Sequence, residues 1–319
     1  MSSPILTLIA KRIATGIVLL FAVSVLIFIG TEILPGDVAQ SILGQSATPH
    51  SLANLREQLG LDQPSYVRYL SWLGGVLTGD LGVALTSGQD IAGSIGSRLL
   101  NTLFLAACAA IVAVPLAILL GLLAVRYRNG PIDKAISGFA LASTSFPEFF
   151  IGYLLVFFLA VKWQIFPAIS TVYEGMGFGE RLMAVALPAA ALTLVVLAHM
   201  MRMTRAAILN VMQSAYIETA ELKGLRPLEV IRKHALPNAI APVANVVMLN
   251  LAYLIVGVVV VEVIFVYPGM GQYLVDHVAK RDVPVVQAVG LIFAAVYILL
   301  NMVADIAAIV SNPRLRHPK

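Results

Sequence analysis

A single cysteine, Cys108, occurs among 319 residues, inside an apolar run. No disulfide can therefore close within the chain, and a buried, inert thiol is expected. Charge is nearly as scarce. Asp, Glu, Lys and Arg together make 12% of the sequence, whereas apolar residues make 59% and the mean hydropathy is +0.90. So little charge excludes a soluble globular protein and identifies an integral membrane protein. The net charge of +4 does not point to nucleic acid, because the basic residues fall in short loops beside apolar runs, where membrane orientation accounts for them. The sequence also lacks a Gly-x-x-x-x-Gly-Lys-Ser/Thr phosphate loop, any His or Cys set at metal-ligand spacing, and any soluble stretch large enough for a nucleotide-binding fold. No catalytic residue, metal or bound cofactor is expected on this chain. If ATP drives it, ATP and Mg belong to another polypeptide.

What is abundant is long apolar runs, and six of them predict six membrane-spanning helices. The first, 13–34, follows Lys11-Arg12 and ends at Leu34-Pro35-Gly36-Asp37. It has the length a bilayer requires, exceeds a signal-peptide core and lacks a small-residue cleavage site. Residues 1–12 precede it, and the long segment 35–100 follows. There, Ser51 to Leu59 and Tyr66 to Leu77 read as short helices, separated by the turn Gly60-Leu61-Asp62-Gln63-Pro64 and followed by the bend Gly79-Asp80-Leu81-Gly82. The core, 101–310, is expected to hold the other spans at about 101–125 (with Pro115 inside), 135–161, 182–201, 239–265 and 286–310, before a tail at 311–319. Lys and Arg number 14 in the amino end, the 126–134 turn, the segment after span four and the tail, against 7 in the other three connections. This excess places both termini in the cytoplasm.

Between spans four and five lies a polar stretch, 205–238, whose centre Tyr216–Pro237 is too charged to be membrane-buried. Ala220, Glu221, Leu222 and Lys223 favour a short helix, Gly224 can adopt the left-handed conformation that closes it, and Pro227 suits the first turn of a second helix. Leu228, Ile231 and Leu236 give that second helix apolar residues until Pro237 stops or kinks it. The stretch resembles the cytoplasmic coupling loop of permease subunits of ATP-binding-cassette importers, whose pattern is Glu-Ala-Ala, three residues, Gly, nine residues, Ile, any residue, Leu-Pro. Glu218-Thr219-Ala220, Gly224 and Leu236-Pro237 stand at the matching positions. Thr219 and His234 depart from it, although the peptide-transporter branch commonly reads Arg-His-Ala-Leu where this chain has Lys233-His234-Ala235-Leu236.

The runs at 34–37, 59–64 and 79–82 resemble the amino-terminal signature of peptide and nickel importer permeases. Glu262, Tyr267-Pro268-Gly269-Met270-Gly271, Arg281-Asp282-Val283-Pro284, Asn301, Asp305 and Asn312-Pro313-Arg314 resemble the ending of the same family, with Asn312 where Asp is usual. The resemblance covers nearly the whole chain. It implies the type I importer permease fold: an all-α membrane protein of six transmembrane helices, with a long extracytoplasmic segment after the first and a cytoplasmic coupling helix between the fourth and fifth. It further implies a bacterial inner-membrane location, a second homologous permease subunit, two ATP-binding subunits, an extracytoplasmic solute-binding protein, and cargo such as dipeptides, oligopeptides, glutathione, nickel chelates or opine-like compounds. Glu218, Thr219, Ala220, Lys223, Gly224, His234, Leu236 and Pro237 are then the residues expected to grip the ATPase.

Glu262 and Asp305 are ionisable groups in or beside apolar spans, costly unless they face the bundle interior or find a partner, and a tie between helices or to a loop arginine such as Arg281 is expected. His199 is read as a hydrogen-bonded interface residue. Ser145, Pro147 and Glu148, at the midpoint of span three, form a polar patch on the expected pathway. Related permeases usually carry a small or apolar residue where Glu148 stands, so the carboxylate is expected to attract cationic cargo; the other reading is that it ties two helices together by accepting hydrogen bonds from a neighbouring span. An ion-coupled secondary transporter using Glu148 and Asp305 is the alternative from another class, but the inverted repeats with paired broken helices that it predicts are not evident. A non-transporting membrane scaffold is the third reading.

Overall fold

The computed structural model describes residues 4–33, 38–58, 60–173 and 175–311. The runs Leu34-Pro35-Gly36-Asp37 and Asn312-Pro313-Arg314, and Leu59 at the head of the run 59–64, lie outside the described residues. Among the described residues the regular structure is helical apart from one isolated bridge between Val83 and Asp90. The helices are α1 (Pro4–Ile33), α2 (Val38–Leu43), α3 (Pro49–Gln58), α4 (Ser65–Thr78), α5 (Ile91–Arg126), α6 (Pro131–Ser145), α7 (Glu148–Leu155), α8 (Phe178–Met212), α9 (Ala215–Leu222), α10 (Pro227–Val230), α11 (Leu236–Ile264), α12 (Met270–Ala279) and α13 (Val283–Ser311).

Among the described residues, five helical stretches are long and apolar enough to cross a membrane: Thr7–Ile33, Ile91–Arg126, Phe178–Met212, Pro227–Ile264 and Val283–Ile306. The third expected span differs from a straight helix. It is a pair, Pro131–Ser145 and Glu148–Lys162, bent by 100°. Phe146 and Pro147 are both extended there (ψ 137° and 145°), because a proline ring excludes helical geometry at the residue before it. Pro237 differs in the other direction. It neither stops the helix nor breaks the span: α10 runs through a π turn, Ile231–Ala235, directly into α11. The wider turn relieves the clash between the Pro237 ring and the carbonyl one turn earlier, and the Asn238 amide donates to the His234 carbonyl at 2.8 Å.

The chain divides into two compact units. One comprises 1–13, 103–267 and 299–319, the other 14–102 and 268–298. The first is built on α8, whose buried face (Leu187, Leu192, Met200, Met201, Ile208) packs against α11, α6 and α7. Small residues permit the close approaches: Gly121 of α5 lies against Thr204, and Gly152 of α7 against Ile264. The Asp133 carboxylate, 4% exposed, receives a two-pronged bond from Arg205 (Nε to Oδ1 2.8 Å, Nη2 to Oδ2 2.7 Å) and caps the backbone N–H of Asn129 at 3.0 Å. Sequence reading passed over this pair, although an Asp two residues after Pro131 is an ordinary helix-start signal.

In the second unit, Ala84, Ile91, Ile95, Met270, Tyr273, Val285, Ala288 and Val289 form the core. Phe28 of α1 meets Tyr69 edge-on at 5.3 Å and stacks on Trp72 at 6.3 Å, while the Ser24 hydroxyl and Tyr69 hydroxyl are 2.9 Å apart. Glu32 pairs with Arg68. Buried Asp282 accepts from the Leu85 N–H (3.1 Å), the Thr86 N–H (2.9 Å) and the Thr86 hydroxyl (2.7 Å), which fixes the loop after α4 to the start of α13. A cavity of about 750 Å³ opens beside these groups, with Glu32, Arg68, Trp72 and Arg281 on its walls.

Candidate functional site

The segment between α8 and α11 is held by a few apolar side chains. Ile217 and Ala220 of α9 are buried with Val230 and Ala235, against Val211 and Met212 at the end of α8. Gly224 has φ +76°, a left-handed turn that a side chain would strain; its N–H donates to the Glu221 carbonyl at 2.9 Å, and Arg226 then leads extended into Pro227. The eight residues expected to grip a partner are thus brought together, but they do not all face the same way. Glu218, Thr219, Lys223, Gly224 and Pro237 are exposed, His234 and Leu236 half-buried, and Ala220 is turned inward as part of the support. Sequence reading missed the apolar outer surface: Leu222 is 82% exposed and Leu228 61%. The available signal was that Leu222 lies off the Ile217–Ala220 face at helical spacing.

The expected pathway residues lie at the bend between α6 and α7. Ser145 and Pro147 are exposed and Glu148 is half-buried. The hydroxyls nearby are already committed: Ser145 donates to the Leu141 carbonyl at 2.7 Å and Thr144 to the Ala140 carbonyl at 3.0 Å. Of the expected polar patch, the Glu148 carboxylate remains. The Tyr253 hydroxyl of α11 donates to it at 3.3 Å, and His199 of α8 lies 6.2 Å, ring to ring, from Tyr253.

The remaining ionisable residues find separate surroundings. Asp305 pairs with Arg12 at 2.9 Å rather than with Arg281, because α1 and α13 bring opposite charges together within the same unit. Glu262 is fully buried, and its carbonyl accepts from the Tyr267 N–H at 2.9 Å. Burial pushes the Tyr267 phenol up to about 12, against the downward pull of the Arg181 guanidinium. Arg281 is exposed, with φ +56°.

Long apolar helices, a sharply broken span and a polar helical elbow between two spans define a multi-pass membrane protein. The chain belongs to the family described as binding-protein-dependent transport system inner membrane component, matched over residues 113–317, and its amino-terminal part matches the corresponding N-terminal family over residues 5–103. It is 33% identical over 309 residues to a probable peptide ABC transporter permease protein of Sinorhizobium fredii, covering 97% of this chain and 99% of that protein. It is 36% identical over 312 residues to a glutathione transport system permease protein of Escherichia coli O6:H1, covering 98% and 99%. This is a permease of an ATP-driven importer, with the all-helical architecture expected of a type I permease.

Proposed function

We propose that the chain forms half of an import pathway for di- or oligopeptides or related small solutes, paired with a second, homologous permease subunit. An extracytoplasmic binding protein delivers the cargo, and two separate subunits hydrolyse ATP with Mg. The relatives named for peptide and glutathione transport, similar over almost their whole length, support the cargo class. The distribution of Lys and Arg supports a bacterial inner-membrane orientation with both termini and α9 in the cytoplasm.

The observation that carries the coupling role is α9 itself, a short helix anchored by Ile217 and Ala220 to the ends of two spans while Leu222, Leu228 and Glu218 face outward. Exposed leucines on the water side of a membrane protein mark a protein interface. Closure of an ATPase pair that grips Glu218, Thr219, Lys223 and Gly224 would push through the Ile217–Ala220 contact onto α8, and through the His234–Pro237 elbow onto α11. In this reading Glu262, Arg281 and Asp305 stabilise the helices and do not touch cargo.

The test is co-purification. The parent permease should co-elute with its ATPase subunits and show vanadate-sensitive ATP turnover. Gly224→Val should lose both, because a left-handed β-branched residue costs about 1–2 kcal/mol and disturbs the turn at the interface. Full ATPase recovery and normal uptake in Gly224→Val would remove the loop from this role.

A further inference from the structure

Glu148 is a carboxylate within an apolar span whose surroundings supply little to compensate it. It occupies the first position of α7, after the extended Phe146-Pro147 step. The Tyr253 hydroxyl is the single side-chain donor recorded on it, and no Lys, Arg or His lies within ion-pair distance among the described residues. Across from it, Gly257 presents bare backbone: a Cβ there would stand 3.5 Å from Glu148 Oε2 and 3.9 Å from Oε1. Half-burial without a counter-charge is costly inside a membrane, unlike the paired acids Asp133 and Asp305 of the same unit.

One further feature favours a cation as the missing counter-charge: the Tyr253 side chain, whose hydroxyl bonds the carboxylate, is 46% exposed, and an aromatic ring beside an acid adds its quadrupole to the charge that an ammonium meets.

We propose that Glu148, half-buried, bonded by Tyr253 and packed against Gly257, is a specificity-determining contact for a primary ammonium of the cargo, at the α6–α7 bend. The contact rests on the importer reading above and adds the charge of the cargo to it. The ammonium comes either from a peptide amino terminus or from a basic side chain.

The experiment is uptake into proteoliposomes by the full complex with its binding protein, measured as peptide moved per ATP hydrolysed, with dialanine and lysyl-alanine as probes. Glu148→Gln keeps the shape and the bond from Tyr253 but removes the charge, and should lower lysyl-alanine moved per ATP about tenfold, the equivalent of one charge-assisted contact. A fall of the same size for dialanine assigns the contact to the amino terminus; unchanged dialanine assigns it to the side chain. Glu148→Asp should restore most of the loss. Tyr253→Phe, which loses only the orienting hydroxyl, should give a smaller fall with the same order of probes, and serves if Glu148→Gln does not assemble. Parent-like transport of both probes per ATP by Glu148→Gln would overturn the proposal, as would a loss confined to complex assembly with the yield per ATP intact. A parent complex that moves neither probe on ATP addition would instead overturn the peptide-cargo reading, and the ammonium contact with it.

Discussion

Removing the Asp133 carboxylate should loosen the junction between α6 and α8 just ahead of the polar elbow. Asp133→Ala deletes the acceptor of two Arg205 N–H bonds and of the Asn129 backbone N–H, the latter at a residue held at φ +64°. Breaking a fully buried pair by deleting one partner costs about 3–5 kcal/mol. Here Asp133 keeps 6% of its side chain exposed and Arg205 28%, so water recovers part of the guanidinium's hydration. A loss of about 2 kcal/mol is therefore expected, most of it the unpaired Arg205 rather than the net worth of the pair. The assay is unfolding free energy in mixed micelles for Asp133→Ala, Arg205→Ala and the double variant. Arg205→Ala leaves a carboxylate less accessible to water than the guanidinium and should cost at least as much. The double variant should be little worse than either single one, a coupling of about 1.5–2 kcal/mol. Simple additivity, with coupling below about 0.5 kcal/mol, would refute the pair as a structural tie.

Gly121→Leu should destabilise by about 1–3 kcal/mol or more, because even a Cβ there meets Thr204 Cγ2 at 2.9 Å and the Arg205 backbone N at 3.3 Å; a parent-like unfolding curve would show that α5 and α8 do not approach so closely. In a Cys108→Ala background, Ser87→Cys should react with a membrane-impermeant maleimide added to intact cells, whereas Ser214→Cys should react only after permeabilisation. Labelling in the opposite order would reverse the proposed orientation.

Much of the architecture was readable without coordinates because hydropathy is a local sum. The apolar runs, the Lys and Arg bias, the turn at Gly224 and the short α9 each depend on a dozen or so neighbouring residues. The elbow was equally legible as spacing, since Glu218, Gly224 and Leu236-Pro237 sit at fixed separations. Proline effects were only half legible. Both Pro147 and Pro237 announce a disturbance, but whether it becomes a 100° bend or a π turn depends on what packs alongside: α7 is held against α8 and α11, whereas α10 continues under α9.

The sequence by itself determined the membrane class, the number of apolar spans, the family and the segment that links spans four and five. Those properties follow from composition and short-range spacing. Only the tertiary structure decided which polar groups meet. Asp305 finds Arg12, Asp133 finds Arg205, Asp282 finds the backbone of Leu85 and Thr86, and Glu148 finds Tyr253 and the bare backbone of Gly257. These partners are separated by tens to hundreds of residues, and their meeting is set by the rotation and crossing of helices, which a one-dimensional pattern does not contain.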